Sequence, residues 1–485
     1  MRGTAIAPGG LRLDAHKERS TQQPVVQASA AAALVLPLDQ HAGVPAVPTV
    51  NVRERVRLGQ PIAQPGGEVS AWLHAPVSGT VAAIEPRPAP QHNGAPALAI
   101  VIENDGRDDV MTQQIRRFEE LAPGELREHI ARGGIVGLGG AAFPTATKLE
   151  AAVQDGDVRI LLNGAECEPY ISCDDMLMRE RAADVVLGAR IFVHALNATS
   201  CIIAIEGDTP VAAQALQKAV SDARDERVRI AVVPAIYPAG GERQLIAAVF
   251  DVEVPSGGLP SNVGVLSQNV GTAAAVARWL RDGQPLTRRI VTVTGDGVRD
   301  ARNLDVRLGT PMSTLIADCG GYTERMTRLI MGGSMMGLAL PHDDLPVVKA
   351  TNCIVAASAL DLQPRSAEMP CIRCGNCEQV CPAMLLPQQL HWYAQAGNLD
   401  ALDEHGLMDC IECGCCDYVC PSQIPLAERF REAKSALARV LTERSRADDA
   451  RALFEARNAR LERLEAEQRA KLLEKRQRLG GPRGD

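Results

Sequence analysis

The spacing C-x2-C-x2-C-x3-C-P occurs twice in this 485-residue chain, as CIRCGNCEQVCP at 371–382 and as CIECGCCDYVCP at 410–421. Each ligand-type cysteine of the second copy lies 39 residues after its counterpart, so the pattern is an internal duplication. Three thiolates at steps of three wrap one face of a cubane iron–sulfur cluster. The fourth, followed by proline, points away and ligates the other cluster of a pair. This assigns Cys371, Cys374, Cys377 and Cys420 to one 4Fe–4S cluster, and Cys410, Cys413, Cys416 and Cys381 to the other. Zinc is the competing reading of C-x2-C pairs, but a zinc site is complete with two such pairs and leaves the x3-C-P element unexplained. Cys415 is out of register and is read as a non-ligating residue that tunes a cluster by packing or a weak hydrogen bond.

Nine of the fourteen cysteines crowd into 371–420, and no signal-peptide pattern opens the sequence. A reducing, cytosolic compartment is therefore expected rather than a disulfide framework. Cys173, Cys201, Cys319 and Cys353 read as ordinary buried thiols, and Cys167 as a packed small residue. No segment approaches the ~20 apolar residues that cross a bilayer. The longest apolar run, ASAAAALVLPL at 28–38, is too short and contains Pro37. A net charge of −8 argues against nucleic acid as the main partner. At roughly 100–200 residues per domain, the length predicts several domains.

Clusters are a wire and do no bond chemistry, so electrons must be loaded elsewhere. Residues 133–148 read GGIVGLGGAAFPTATK, where Gly137, Gly139 and Gly140 let backbone approach a ligand and Lys148 offers a cation about two turns into a following helix. That combination suits a phosphate, although a glycine loop alone is as often a plain tight turn. Its context is stronger. The apolar strand Val158–Leu162 ends in Asn163 with Glu166 and Glu168 just beyond, and further strands at 201–207 and 228–235 alternate with helical stretches near 175–197 and 210–225. This is βαβ alternation with polar side chains at a strand's carboxyl end, where parallel α/β sheets bind ligands. The turns YPAGGERQLI at 237–246 and VLSQNVGTAAAVARWL at 265–280 follow.

The set GLGGAAFPTATK, NGAECEP, YPAGGERQL and QNVGT resembles the NADH-oxidising flavoprotein subunit of respiratory complex I. The whole chain, from PGGLRLDAHK to its charged tail, resembles the RnfC family, which belongs to the Rnf complex, the ion-translocating ferredoxin:NAD oxidoreductase of prokaryotic membranes. The resemblance implies flavin contacts at Gly137, Gly139, Gly140, Lys148, Asn163 and Asn269. It implies contacts around flavin and nicotinamide at Phe143, Glu166, Glu168, Tyr237, Gly240 and Glu242. Its expected cofactors are FMN and two 4Fe–4S clusters, with NAD(H) as substrate. Expected partners are the other membrane subunits and, indirectly, ferredoxin, with the chain peripheral on the cytoplasmic face of the inner membrane. Two departures from the complex I pattern each remove a carboxylate: Ala165 stands in the Asn-x-Asp-Glu run, and Gly241 replaces one of two paired glutamates. A wiring scaffold without nucleotide chemistry, and a soluble diaphorase subunit of a hydrogenase or disulfide reductase, are the rival readings.

The expected fold class is multidomain α/β. Residues 1–40 form an N-terminal segment. Residues 41–110 form a lipoyl-like β-barrel in which HAPVSGTV resembles half of a carrier domain; with no lysine between Lys17 and Lys148, the carrier reading is closed. Residues 111–285 form the Rossmann-like flavin and NADH domain, and 286–358 a β-grasp module of SLBB type. Residues 359–430 form a helical domain for the two clusters. Residues 431–485 belong to a charged helix running from about 426 to 478, where Glu and Arg four apart favour helix. The GGSMMG turn reads as a domain interface.

Overall fold

A computed structural model describes residues 8–91, 94–113, 115–153, 156–362 and 366–479. The chain is a multidomain mixture of helix and sheet. The barrel is two small sheets packed face to face: Ala33–Pro37, Ala97–Asn104, Gly79–Arg87 and Arg55–Val56 in one, Val47–Pro48, Pro61–Gln64 and Leu73–His74 in the other. Alternation along the strands turns Leu34, Leu36, Ile62, Val81, Ile100 and Ile102 inward, all buried. Gly79 in HAPVSGTV is dictated by space, since a Cβ there would lie 1.9 Å from the Glu103 carbonyl oxygen. The first sheet reaches back across the expected boundary at residue 40, because Leu34–Leu36 pair with Ile100–Ile102. Val26–Gln27 joins a different sheet beside Leu304–Asp305, so the N-terminal segment is woven into two neighbours.

The central domain is a parallel sheet in the order Val228–Val233, Ser200–Glu206, Arg159–Gly164, Val265–Asn269. Its strands are Val- and Ile-rich because helices cover both faces. Asn163 pairs in register with Ala204 on one side and Asn269 on the other, which aligns the carboxyl ends of the strands. The helices Ala182–Leu196 and Val270–Asp282 approach so closely at Gly188 that a Cβ would sit 2.1 Å from the Ala273 oxygen. The β-grasp module is a six-stranded sheet with strands Arg288–Thr294, Arg302–Arg307 and Cys353–Ser358 at its centre and the helix Met312–Asp318 against it.

The cysteine region is helical. Short helices Asn376–Gln379 and Cys415–Tyr418 follow the two cysteine loops, and Pro387–Ala396 and Leu399–Glu404 lie between the copies. The last helix, Leu426–Leu479, starts inside this domain: Phe430 and Leu437 are buried with Leu390, Leu402 and Leu407. The expected boundary at 430 therefore cuts a helix whose first turns are core. Beyond it Leu453 and Phe454 stand exposed on a charged, solvated rod.

Candidate flavin and iron–sulfur sites

The duplicated cysteines surround two cavities. Cys371, Cys374, Cys377 and Cys420 line one, and Cys381, Cys410, Cys413 and Cys416 line the other. The crossing of Cys381 and Cys420 follows from a backbone path executed twice. Left-handed residues Arg373 and Glu412, Gly375 and Gly414, and Met384 and Gln423 occupy matching places in the two copies. Four sulfurs at ligand spacing surround each cavity and fit a cubane, with Cys415 a fifth cysteine on the wall of the second, and backbone N–H groups of Leu385 and Glu412 already point at Cys381 Sγ and Cys410 Sγ, at 3.4 Å each. Burial pushes the Cys410 thiol up to about 11, against the opposing pull of the Glu412 N–H and the Lys434 ammonium. Cys415 is fully buried and its thiol is hydrogen-bonded to Cys413.

The surroundings of the two sets differ. Cys413 is 7 % exposed, whereas Cys374 lies at the surface. The Tyr237 hydroxyl donates to the Cys413 carbonyl (2.6 Å), Gln244 Nε2 to the Pro382 carbonyl (3.3 Å), and Arg243 pairs with Asp409 (3.1 Å). From the N-terminal segment, Gly10 N donates to the Val380 carbonyl (2.9 Å), and Leu11 exchanges both backbone bonds with Tyr237. A Cβ on Gly9 would fall 2.6 Å from the Cys381 oxygen. The second-copy set thus sits against the 237–244 turn of the parallel domain.

At the carboxyl ends of the strands the glycine loop is closed by a Gly137 N–H to Phe143 carbonyl bond (2.8 Å) and pinned by Leu138 N–H to Thr272 Oγ1 (2.9 Å). Its crest, Gly139 and Gly140, is exposed. Gly140 has φ +110 with open space where a Cβ would be, and a Cβ on Gly139 would touch the Asn269 side chain. Lys148 is the fourth residue of the seven-residue helix Thr145–Ala151, about one turn in rather than two, with Pro144 at its N-cap. Its Nζ reaches across to Glu242 (2.7 Å) and the Ser267 carbonyl (3.3 Å). Asn163 Nδ2 donates to the Gly240 carbonyl (2.7 Å), and Asn269 caps Gly271 N–H (2.8 Å) while its Nδ2 donates to Asp174. A side-chainless crest above amide, ammonium and carboxylate groups is a cradle that fits a flat, phosphorylated ligand.

Three of the expected contact residues bond to other parts of the chain. Glu166 accepts from the N–H groups of Asp174 (2.9 Å) and Asp175 (3.2 Å), capping the helix Cys173–Glu180. Glu168 Oε1 accepts from Met335 N–H (2.8 Å) and Met336 N–H (2.9 Å), tying the GGSMMG turn to the flavin-side loop. Tyr237 is buried and faces the cysteine loop.

Sequence reasoning passed over Lys17, Asp174 and Glu206. Glu206 ends the strand beside Asn163's, so the rule that found Asn163 would have found it too. Lys17 donates to the Glu166 carbonyl; burial pulls its pKa down, but Glu166, Glu206 and Asp208 outweigh that and hold it above the ordinary lysine value. Burial pushes Glu206 up to about 7, against the opposing pull of Lys17. Burial, followed by the neighbouring Glu166, pushes Asp174 up to about 7.

These features define a protein with a ligand cradle on a parallel α/β domain and a duplicated cysteine domain shaped for two cubane clusters. Family descriptions match in the same order along the chain: an RnfC barrel sandwich hybrid domain at 6–107, a Nuo51 FMN-binding domain at 130–278, an SLBB domain at 290–339 and a 4Fe–4S dicluster domain at 369–424. The chain belongs to the RnfC family of ion-translocating oxidoreductase complexes. It is 47% identical over 94% of its length to the Pseudomonas aeruginosa protein named as the C subunit of the ion-translocating oxidoreductase complex, and 44% identical over 95% of its length to that of Vibrio cholerae serotype O1. It spans 59% of the length of each of those relatives. An NAD+-reducing NiFe hydrogenase in its H2-reduced state aligns with TM-score 0.46 and 17% identity, over 66% of this chain and 62% of that one.

Proposed function

We propose that this chain is the electron-transfer subunit of a membrane-bound ion-translocating oxidoreductase, passing electrons between NAD(H), a bound FMN and two 4Fe–4S clusters. It docks as a peripheral subunit on the cytoplasmic face, and among its described residues no helix is long and apolar enough to cross a membrane. The observation that carries the reading is the seating of the second cysteine set on the 237–244 turn, through Tyr237 and Gln244. That turn also carries Gly240 and Glu242, which bond Asn163 and Lys148 of the glycine-loop cradle.

Gly139 and Gly140 would admit the flavin ring; Lys148, Asn163 and Asn269 would hold its polar groups. FMN when bound accepts a hydride and gives up electrons singly, which is the exchange that one-electron clusters need. The protein's residues supply orientation and burial. Tyr237 and Leu11 exclude water between the cradle and Cys413, and the two cavities hold the eight cysteines in two sets. The order that follows is cradle, second-copy set, first-copy set, because only the former is covered by the parallel domain.

The test is an anaerobic NADH titration of the reconstituted protein, followed by flavin absorbance and by EPR. Flavin bleaching followed by reduced-cluster signals is the expected result. Clusters that form while no flavin binds and NADH reduces nothing would leave the chain a wiring scaffold.

A further inference from the structure

The two cysteine loops are copies of one element, and the protein covers one and leaves the other bare. Loop 410–414 is capped: Ile411 packs with Leu11, Leu13 and Tyr237, the Cys413 carbonyl takes the Tyr237 hydroxyl, and Met335 lies against Gly414. Loop 371–375 repeats the same backbone, with left-handed residues at Arg373 and Gly375 matching Glu412 and Gly414. Yet Ile372, the counterpart of Ile411, is 67 % exposed, and Cys374 is exposed where Cys413 is buried. One exposed isoleucine is ordinary on a protein surface; the contrast lies in its counterpart, which the same backbone presents to a covering domain.

We propose that loop 371–375 is the docking face for an electron-carrying subunit of the same complex, which covers Ile372 and Cys374 as the parallel domain covers Ile411 and Cys413. This rests on the function proposed above. The partner is defined by what the covered copy accepts: an apolar patch for the isoleucine, and its redox centre lying just beneath that patch. Charge sets the copies apart. Glu412 is paired with Arg431 (2.9 Å) and Lys434 (3.0 Å) of its own domain. Its counterpart Arg373 is exposed, with its guanidinium 4.7 Å from the Trp392 ring centroid. The partner's rim is therefore acidic at that point. One electron passes at a time from the first-copy set to the oxidised centre of that subunit, with no bond made and no proton moved.

The experiment is hydrogen exchange on the holoprotein, alone and assembled with the other subunits of its complex. Amides of 372–375 should slow at least tenfold on assembly, while those of 411–414 stay slow in both. Ile372→Glu should weaken assembly tenfold or more, with both reduced-cluster EPR signals still raised by NADH. Should Ile372→Glu disturb its own cluster, Arg373→Glu reads the same face without touching the apolar position. Unaltered exchange at 372–375, or wild-type assembly of both variants, overturns the proposal. Failure of NADH to reduce the clusters of the wild-type chain would instead overturn the function on which it rests.

Discussion

Lys349 offers the sharpest test of how the three front domains are held together. It is 1 % exposed, and its Nζ donates to the Trp72 carbonyl of the barrel and the Gly134 carbonyl at the head of the glycine loop, both at 2.8 Å. Its own carbonyl takes a bond from the buried Arg289, whose other arm reaches the Leu138 carbonyl (3.0 Å). Two β-grasp cations thus fix the glycine loop on both flanks. Burial lowers the Lys349 ammonium from 10.5 to about 7. Its folded pKa is therefore below its unfolded one. Between those values the unfolded chain binds the extra proton, so stability rises with pH. At 1.36 kcal/mol per unit, with the titration partial near pH 7, the gain from pH 7 to pH 9 is about 2 kcal/mol. Lys349→Met removes that dependence. It also orphans two carbonyls at about 1–3 kcal/mol each, of the same size as the ionisation cost it relieves at pH 7. The absolute change is thus small and the slope is the signature. Urea midpoints of both proteins at pH 7 and pH 9 should show the wild type gaining about 2 kcal/mol more than the variant. Equal gains would refute the argument that this lysine is held neutral inside the junction.

Glu168→Ala leaves Met335 and Met336 N–H without their acceptor, and should cost about 3 kcal/mol in urea unfolding, charged acceptors being the stronger kind. Gly188→Ala drives a methyl to 2.1 Å from the Ala273 oxygen; a loss of at least ~2 kcal/mol is expected with no change in the wavelength of flavin absorbance. Tyr237→Phe deletes the bond to the Cys413 carbonyl. EPR should show an altered line shape for one of the two reduced clusters only, and a change in both would sink the assignment of Tyr237 to the second-copy set.

What could be read from residues alone was whatever rests on short spacing. The C-x2-C-x2-C-x3-C-P repeat fixes its own loop geometry within twelve residues, and the crossing of Cys381 and Cys420 could be written down before any fold was known. The parallel strands near 158–162, 201–207 and 228–235 were legible because their apolar runs alternate with helical stretches; Val265–Asn269, read as a turn, is the fourth strand of that sheet and was missed because only two of its five residues are apolar. The N-terminal strap was not legible. Residues 9–20 have no periodicity, and their partners, Val380, Tyr237 and Glu166, lie more than 140 residues away. Lys349 was invisible for the same reason, since nothing around it in sequence announces burial. What the motif does not announce at Glu168 is its partner: a turn more than 160 residues further along gives its carboxylate two N–H bonds.

The two departures from the complex I pattern acquire a physical meaning once the acids around the cradle are located. Position 165 carries alanine, yet Asp174 brings a carboxylate to the Asn269 side chain from the start of the following helix. At Gly241 a Cβ would lie 2.5 Å from Gln244 Oε1, so a side chain there displaces the Gln244 amide. Gln244 is the residue whose Nε2 reaches the Pro382 carbonyl beside the second cysteine set. Glycine at 241 therefore leaves that amide in place, while Glu242 keeps the remaining carboxylate on Lys148. Carboxyl groups that the motif lacks at two positions stand on elements it does not include: Asp174, bonded to Asn269, and Glu206, at the end of the strand beside Asn163's. Burial pushes both up to about 7, and a pattern match at 163–168 and 237–242 therefore undercounts the carboxyl groups at this edge of the sheet.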